Sequence, residues 1–272
     1  MSDSDTDFEQ AQAYREVVEK LWAEPVFEAC DEALPKTPGA TVLIAEARCG
    51  LVAIELAARL GQQSRIMALD SHGPMLDLAR KRAEGAAGQE RIYFVNQRVD
   101  NLSYADGVFE AGICLDGLYT GRQAMEGVAE LVRVTADGGT VVVAAPLSSS
   151  FAEYYDLLDE AFRAHKLDDV VPRIDALRET LISPGQLAAA ARKAALEDFS
   201  IEKLRWELSF VDGHDFLHSP LIRQSVFPHW IGMVRSSDRE PVLRYVSDAI
   251  DTYWHAGPFT TVIEAGLLVG KK

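Results

Sequence analysis

Short runs of β-branched and other apolar residues alternate with helical patterns over the first half of the chain, and this alternation most restricts the fold. Five runs predict strands, at residues 41–45, 65–69, 91–95, 111–115 and 139–145. Three helical patterns separate them, at residues 51–60, 74–87 and 124–134. Parallel strands need a crossover that is long enough to hold a helix, so this order is typical of parallel pairing. The sequence therefore predicts an α/β protein with a doubly wound, mostly parallel sheet.

The remaining residues predict helices around this core and two further strands. The predicted organisation has five parts: a disordered acidic tail over residues 1–7, an N-terminal helical cap over 8–38, a core over 39–150, a helical segment over 151–198, and closing strands over 199–272 with a helical insertion at 212–258. The closing strands are expected at 199–211 and 260–270, where apolar residues recur without a helical period.

The charge balance restricts the partners of the chain. A formal net charge of -15 opposes the electrostatic attraction that drives binding to nucleic acid or to anionic lipid. No apolar run is long enough to span a bilayer, and the first residues are acidic rather than basic. We therefore expect a cytoplasmic protein that does not bind nucleic acid and does not span a membrane.

Cysteine and histidine spacing gives little support to a disulfide framework or to a metal site. Cys30, Cys49 and Cys114 are scattered, with no CxxC pair among them. His214 and His218 are four residues apart, as on one face of a zinc-binding helix, but the sequence offers no third ligand beside them. We therefore expect reduced thiols and no metal.

Polar and glycine residues follow the predicted strands, at the edge of the sheet where such folds bind ligands. In an open parallel sheet, ligands lie outside the carboxyl ends of the strands. The candidate binding residues at these ends are Glu46, Arg48, Gly50, Asp70, Ser71, Val99, Asp100 and Asp116. Asp70 at the end of the second strand is suited to accept both hydroxyls of a ribose, or alternatively to cap the helix that begins near Pro74.

Three segments in order resemble a known family. IMALDS at residues 66–71, followed by Met75 and Leu76, is similar to a strand-end acid and a helix that begins with methionine and leucine. LSYADGVFE at residues 102–110 and the glycine turn at 137–139 match two further motifs. On these motifs the chain resembles the small-molecule class I S-adenosylmethionine-dependent methyltransferases, typified by enzymes of the ubiquinone and biotin pathways. The likeness covers nearly the whole length.

The resemblance carries expectations about fold and ligand. It implies a Rossmann-like seven-stranded methyltransferase sheet with an antiparallel last strand, and a helical insertion that acts as a lid over the acceptor pocket. It implies an N-terminal helix, from about Phe8, that packs over the cofactor cleft. The implied cofactor is S-adenosylmethionine, with Asp70 on the ribose and Val99 or Asp100 near the adenine.

The loop after the first strand departs from the family pattern. The family has an acid near the end of this strand and then glycine at three alternate positions, where this chain has Ile44 and then Glu46, Arg48 and Gly50. Glycine allows a tight turn and a close approach of the backbone to the cofactor. Two long charged side chains would occupy that space, and Ile44 lacks the carboxylate that helps to hold the amino-acid end of the cofactor.

A second departure follows the third strand. The glycine and aspartate that the family uses near the adenine amine correspond here to Gln97 and Arg98. Arginine has only donors and cannot accept a hydrogen bond from an amine. Asp100 is the nearest carboxylate that could substitute, with a shifted register.

Two hypotheses about function remain open at this point. In the first, the chain is a pseudo-methyltransferase with a degenerate S-adenosylmethionine site, and it acts as a binding or assembly module for a protein partner or as a homo-oligomer. In the second, it is an active S-adenosylmethionine-dependent methyltransferase on a small or medium-sized apolar metabolite. Direct displacement needs mainly the positioning of two reactants, so the second hypothesis does not require a catalytic side chain.

Overall fold

A computed structural model describes residues 3–272, and its centre is a seven-stranded sheet. The strands are β1 (Thr41–Ile44), β2 (Arg65–Asp70), β3 (Ile92–Asn96), β4 (Phe109–Cys114), β5 (Thr135–Pro146), β6 (Glu197–Phe210) and β7 (Phe259–Lys271). Their order across the sheet is β3-β2-β1-β4-β5-β7-β6. The paired strands among β1 to β5 are parallel, and β7 is antiparallel to β5. The predicted fold class, a mostly parallel seven-stranded sheet with an antiparallel last strand, is confirmed.

Helices connect and follow these strands. They are α1 (Asp3–Ala13), α2 (Glu24–Ala29), α3 (Leu51–Arg59), α4 (Gly73–Ala83), α5 (Gly121–Val134), α6 (Ala152–Ala164), α7 (Val171–Thr180), α8 (Pro184–Lys193), α9 (Gly213–His218), α10 (Pro220–Ser225), α11 (Phe227–Trp230) and α12 (Ser236–Tyr253). A π-helical stretch over Tyr14–Ala23 joins α1 to α2. No helix in the described part of the chain is long and apolar enough to cross a membrane.

The N-terminal helix begins earlier than the sequence predicts. Residues 1 and 2 of the predicted tail lie outside the described residues, but α1 begins at Asp3 and not near Phe8. Acidic residues are favourable in the first turn of a helix, so the acidic composition that indicated a tail is also compatible with a helix start.

Local sequence signals account for the helix starts that border the strand ends. Gly50 has a left-handed conformation at the start of α3, and Pro74 occupies the first turn of α4. Thr120 and Gln123 form a reciprocal capping box at the start of α5, which satisfies backbone donors that the helix leaves unpaired. These starts turn the chain sharply after β1, β2 and β4 and so determine which residues lie at that edge of the sheet.

The chain divides into two compact units. The first consists of Met1–Pro146, Ile182–Leu204 and Ala265–Lys272, and the second of Leu147–Leu181 and Arg205–Glu264. The buried centre of the first unit includes the apolar residues of β1, β4 and β5. The second unit has an aromatic core, in which Tyr154 and Phe162 contact Phe216 and Trp230 respectively. Apart from the start of the N-terminal helix, the segment boundaries expected from the sequence stay predictions.

Candidate functional site

The loop after β1 is fixed between the two strands that flank β1. The backbone N–H of Ala45 donates to the carbonyl of Ile113 in β4 at 2.8 Å, and that of Ala47 donates to the carbonyl of Leu69 in β2 at 2.7 Å. These bonds hold the side chains of residues 46 and 48 at the carboxyl ends of the strands. Four of the candidate residues predicted from their places after strands therefore lie close together: Glu46, Arg48, Asp70 and Asp116.

Arg48 lies at the centre of an ion-pair cluster. Its Nε is 3.3 Å from Asp116 Oδ2, and its Nη1 is 3.5 Å from Asp70 Oδ2 and 3.4 Å from Glu46 Oε2. The Arg48 side chain is only 18% exposed. Burial lowers the pKa of Arg48, but the charges of Asp116 and its other acidic neighbours outweigh burial and raise the pKa well above its ordinary value. The guanidinium is therefore a permanent cation that three carboxylates surround.

Asp70 is fully buried, and both of its oxygens accept hydrogen bonds from the protein. Oδ2 accepts from the backbone N–H of Arg48 at 2.9 Å, and Oδ1 accepts from that of His72 at 2.8 Å. His72, not Asp70, is the N-cap residue of α4, and no side chain caps that helix. The alternative interpretation of Asp70 as a helix cap is therefore wrong.

Two tyrosines that the sequence analysis did not single out complete the cluster. Tyr14 donates its hydroxyl to Asp116 Oδ2 at 2.6 Å, and Tyr119 donates to Asp116 Oδ1 at 2.9 Å. Burial, followed by the charge of Asp116, raises the pKa of both phenols, so they stay protonated donors. Tyr14 lies on an apolar helix face, where its sequence pattern indicated only packing. Tyr119 lies three residues beyond the strand-end aspartate, which is the one local signal that could have identified it.

The loop keeps a backbone conformation that suits glycine although two of its residues are not glycine. The φ angles are 51° at Glu46, 50° at Arg48 and 82° at Gly50. A residue with a Cβ is strained in this region by about 1–2 kcal/mol. The alternate left-handed positions therefore persist, and the charged side chains that replace glycine project from them.

Glu46 packs against the backbone that follows Asp116. A Cβ added at Gly117 would lie 2.6 Å from Glu46 Cγ and 2.9 Å from Arg48 Nη2. The backbone N–H of Val99 interacts with the Glu46 carboxylate. Burial raises the pKa of Glu46, Arg48 lowers it, and Asp70 and Asp116 raise it, with a net result of about 7. Glu46 therefore titrates near neutral pH inside the cluster.

A cleft of about 240 Å³ remains on one side of this cluster. Glu46, Arg48, Ser71, Val99 and Asp100 line it, together with Arg98, Gly117, Leu118 and Gln123. The remaining candidate residues do not line the cleft. Asp70 and Asp116 contact Arg48 behind it, and Gly50 is buried, where an added Cβ would lie 3.0 Å from Ala79 Cβ.

The residues after β3 form the far rim of the cleft. Arg98 Nε donates to Asp100 Oδ1 at 2.9 Å, and Arg98 Nη2 pairs with Asp100 Oδ2. The Arg98 hydrogen bonds, ahead of the opposing effect of burial, lower the pKa of Asp100. Val99 and Leu118 are buried and both approach Gly127 of α5, so they give the cleft an apolar wall.

The described residues contain no group of three histidine, cysteine, aspartate or glutamate side chains that could hold a metal ion. The rings of His214 and His218 stack on each other, with centroids 3.9 Å apart, and the Nδ1 of His218 contacts the carbonyl of His214. Both imidazoles therefore have local interactions that do not involve a metal.

Comparison with known proteins identifies a methyltransferase domain at residues 45–139. Over 152 residues the chain is 34% identical to the demethylmenaquinone methyltransferase of Deinococcus radiodurans, an alignment that covers 55% of this chain and 58% of that enzyme. The chain spans about half the length of the curated relatives it matches.

Solved structures share the fold at low sequence identity. The YcgJ protein from Bacillus subtilis is 16% identical, with a TM-score of 0.57 over 92% of this chain and 98% of that one. The geranyl diphosphate C-methyltransferase from Streptomyces coelicolor A3(2), solved with Mg²⁺, geranyl diphosphate and S-adenosyl-L-homocysteine, is 14% identical. Its TM-score is 0.50, over 90% of this chain and 77% of that one.

Proposed function

Because this chain belongs to the class I S-adenosylmethionine-dependent methyltransferase family, we propose that it is a member whose cofactor site is closed by its own Arg48 and that it acts as a binding or assembly module. The observation that carries this proposal is the position of the Arg48 guanidinium, between the strand-end carboxylates Asp70 and Asp116. A pseudo-methyltransferase of this kind keeps the fold and gives the pocket another use.

The residues of the strand ends do not fit S-adenosylmethionine in this conformation. The cofactor is cationic, and the acids that would attract its charge already surround the Arg48 guanidinium. Asp70 is fully buried and accepts backbone N–H groups on both oxygens, so it exposes no oxygen to a ribose. Asp100 is similarly engaged by Arg98. The remaining cleft of about 240 Å³ is below the roughly 300–1,000 Å³ of most small-molecule sites.

The charge of the protein favours certain partners for such a module. A net charge of -15 disfavours binding to nucleic acid and to anionic lipid. The proposed partner is therefore another protein or a second copy of this chain.

One observation favours a second function, an active methyltransferase on a small or medium-sized apolar metabolite. The chain is 34% identical to a demethylmenaquinone methyltransferase over 152 residues, and the methyltransferase domain matched at residues 45–139 includes the altered loop. In this alternative Arg48 would have to leave the carboxylates before the cofactor entered, and the residues proposed to hold it would be Gly50, Asp70, Ser71, Val99 and Asp100.

Calorimetric titration with S-adenosylmethionine at neutral pH separates the two functions. We expect no measurable binding by the wild-type chain at micromolar concentrations. The triple variant Ile44→Asp, Glu46→Gly and Arg48→Gly restores the family pattern, and we expect it to bind. Arg122→Ala is the matched control, because it removes an arginine that is 79% exposed on α5 and should bind no better than wild type. Micromolar binding by the wild-type chain would contradict the proposal.

A further inference from the structure

Glu46 lies in the wall of the cleft, where its side chain is closely packed and its backbone is strained. Its side chain is only 11% exposed, its Cβ and Cγ lie against Gly117, and its φ is 51°. The side chain is one of those that line the cleft, so an outward movement would widen the opening. Such a movement would also allow the strained backbone of the loop to relax.

The charges that face Glu46 from each neighbouring element do not balance. Arg48 of the same loop is the ion-pair partner of Glu46, and the ends of β2 and β4 supply the carboxylates of Asp70 and Asp116. The loop after β3 contributes the backbone N–H of Val99. An ionised Glu46 therefore makes a third carboxylate around one guanidinium.

The remaining titratable neighbours do not offset this excess. Tyr14 and Tyr119 stay neutral, because burial and Asp116 raise the pKa of each phenol. Burial also raises the pKa of the Cys114 thiol in β4. At the rim, Arg98 is neutralised by its pair with Asp100.

Protonation and the buried position of Glu46 are thermodynamically linked. In the buried position, burial raises the pKa of Glu46 to about 7. Arg48 opposes this rise, and Asp70 and Asp116 add to it. A solvated glutamate has a pKa near 4.3. The buried position therefore binds a proton more tightly than the solvated one. By linkage, a lower pH favours the buried position and a higher pH favours the solvated one.

We propose that Glu46 is a proton-controlled gate of the cleft: the neutral side chain stays against Gly117 and narrows the cleft, and the ionised side chain moves into water and opens it. This inference rests on the proposed function, because it assigns regulation to the same site. It makes the opening of the cleft depend on a proton and not on a ligand.

Hydrogen exchange of the ligand-free protein tests the gate. The measurement compares protection factors, corrected for the intrinsic pH dependence of exchange, for peptides that cover residues 45–50 and 115–119 at about pH 5.5 and about pH 8.5. The amides of Ala45, Ala47 and Gly50 are hydrogen-bonded and report on the loop. We expect protection in the wild type to fall at least about tenfold at the higher pH, since each pKa unit of linkage is worth a factor of ten.

Variants at position 46 separate the gate from a general effect of pH. Glu46→Gln keeps the neutral shape and should be protected at both pH values, whereas Glu46→Ala removes the side chain and should be unprotected at both. Glu90→Gln is the control, since Glu90 is a surface carboxylate that is 69% exposed, and it should behave as wild type. An equal fall in wild type and Glu46→Gln, or no fall in wild type, would overturn the gate.

The same samples distinguish the failure of the gate from the failure of the proposed function. The exchange experiment contains no ligand, so its result does not depend on cofactor binding. Titration of S-adenosylmethionine into the wild type at both pH values tests the closed site separately. Micromolar binding at either pH would reject the proposed function, whereas pH-independent protection would reject only the gate.

Discussion

The Tyr14 hydroxyl donates a 2.6 Å hydrogen bond to Asp116 across 102 residues of sequence and so connects the N-terminal helical segment to the end of β4. A second hydrogen bond joins the same two segments: Trp22 Nε1 donates to the carbonyl of Leu115 at 3.0 Å. Because Asp116 also pairs with Arg48, the N-terminal segment helps to hold the ion-pair cluster in place. The N-terminal segment is thus part of the site.

Replacement of Tyr14 by phenylalanine should therefore destabilise the protein. The substitution removes a buried hydrogen bond to a carboxylate and leaves an acceptor less satisfied, which costs about 2 kcal/mol. Urea unfolding measures the loss. Tyr93→Phe on β3 is the matched control, because Tyr93 is an exposed tyrosine, and it should change the unfolding free energy by less than about 0.5 kcal/mol. Equal effects of the two substitutions would argue against the connection.

Stability should decrease as the pH rises through neutrality. Burial of Glu46, opposed by Arg48, raises its pKa in the folded state to about 7, above the value of an unfolded glutamate. A carboxyl group with a raised folded pKa contributes stability that is complete below the unfolded pKa and is lost as the pH passes the folded pKa. The loss should be on the order of 2 kcal/mol between about pH 5 and pH 8.

Urea unfolding at the two pH values measures this loss. Glu46→Gln should flatten the pH dependence, because glutamine does not titrate. A variant with the wild-type slope would show that another group is responsible.

Arg48 should be essential for the stability of the strand-end cluster. Arg48→Met keeps much of the side-chain volume but leaves Asp70 and Asp116 as buried carboxylates without their cation. Removal of one partner from a buried ion pair costs about 3–5 kcal/mol. Thermal unfolding measures the effect at neutral pH, with Arg122→Met as the exposed control, since Arg122 is 79% exposed and pairs with Glu126 on the surface. A loss below about 1 kcal/mol would mean that the carboxylates are protonated or solvated without Arg48.

The sequence predicts the sheet and the composition of the cluster better than it predicts the cluster's geometry. Alternating strand and helix patterns specify the parallel sheet, and the strand-end rule identifies Glu46, Arg48, Asp70 and Asp116, because both depend on local periodicity. The pairing of Arg48 with Asp70 and Asp116 depends on side-chain directions from three different loops. The sequence indicates only that Glu46 and Arg48 occupy the space that the family leaves to glycine.

The role of Tyr14 could not be predicted because it depends on tertiary placement. Tyr14 has the spacing of an ordinary buried helix residue, and nothing near it in the sequence indicates a carboxylate partner. Gly50 is the opposite case, because its place in the sequence predicted a contact with the ligand. Among the three alternate glycine positions of the family pattern, Gly50 keeps the glycine, yet it packs against Ala79 and does not line the cleft. A motif position therefore specifies backbone conformation more securely than it specifies contact with a ligand.

Gly117 should resist substitution for two separable reasons. Its φ is 85°, which strains any residue with a Cβ, and an added Cβ would lie 2.6 Å from Glu46 Cγ. Gly138 has a similar φ of 76°, and nothing lies within 4 Å of a Cβ added there, so Gly138→Ala measures the backbone cost alone. We expect about 1 kcal/mol of destabilisation for Gly138→Ala and about 1–3 kcal/mol more for Gly117→Ala, from urea unfolding. Part of the extra cost arises from contact with Glu46 Cγ, so it should decrease when Gly117→Ala is combined with Glu46→Ala, although Arg48 Nη2 and the Cβ of residue 46 still lie 2.9 Å from the added Cβ. A double variant that loses the full sum of the two single losses would show that Glu46 does not pack against Gly117.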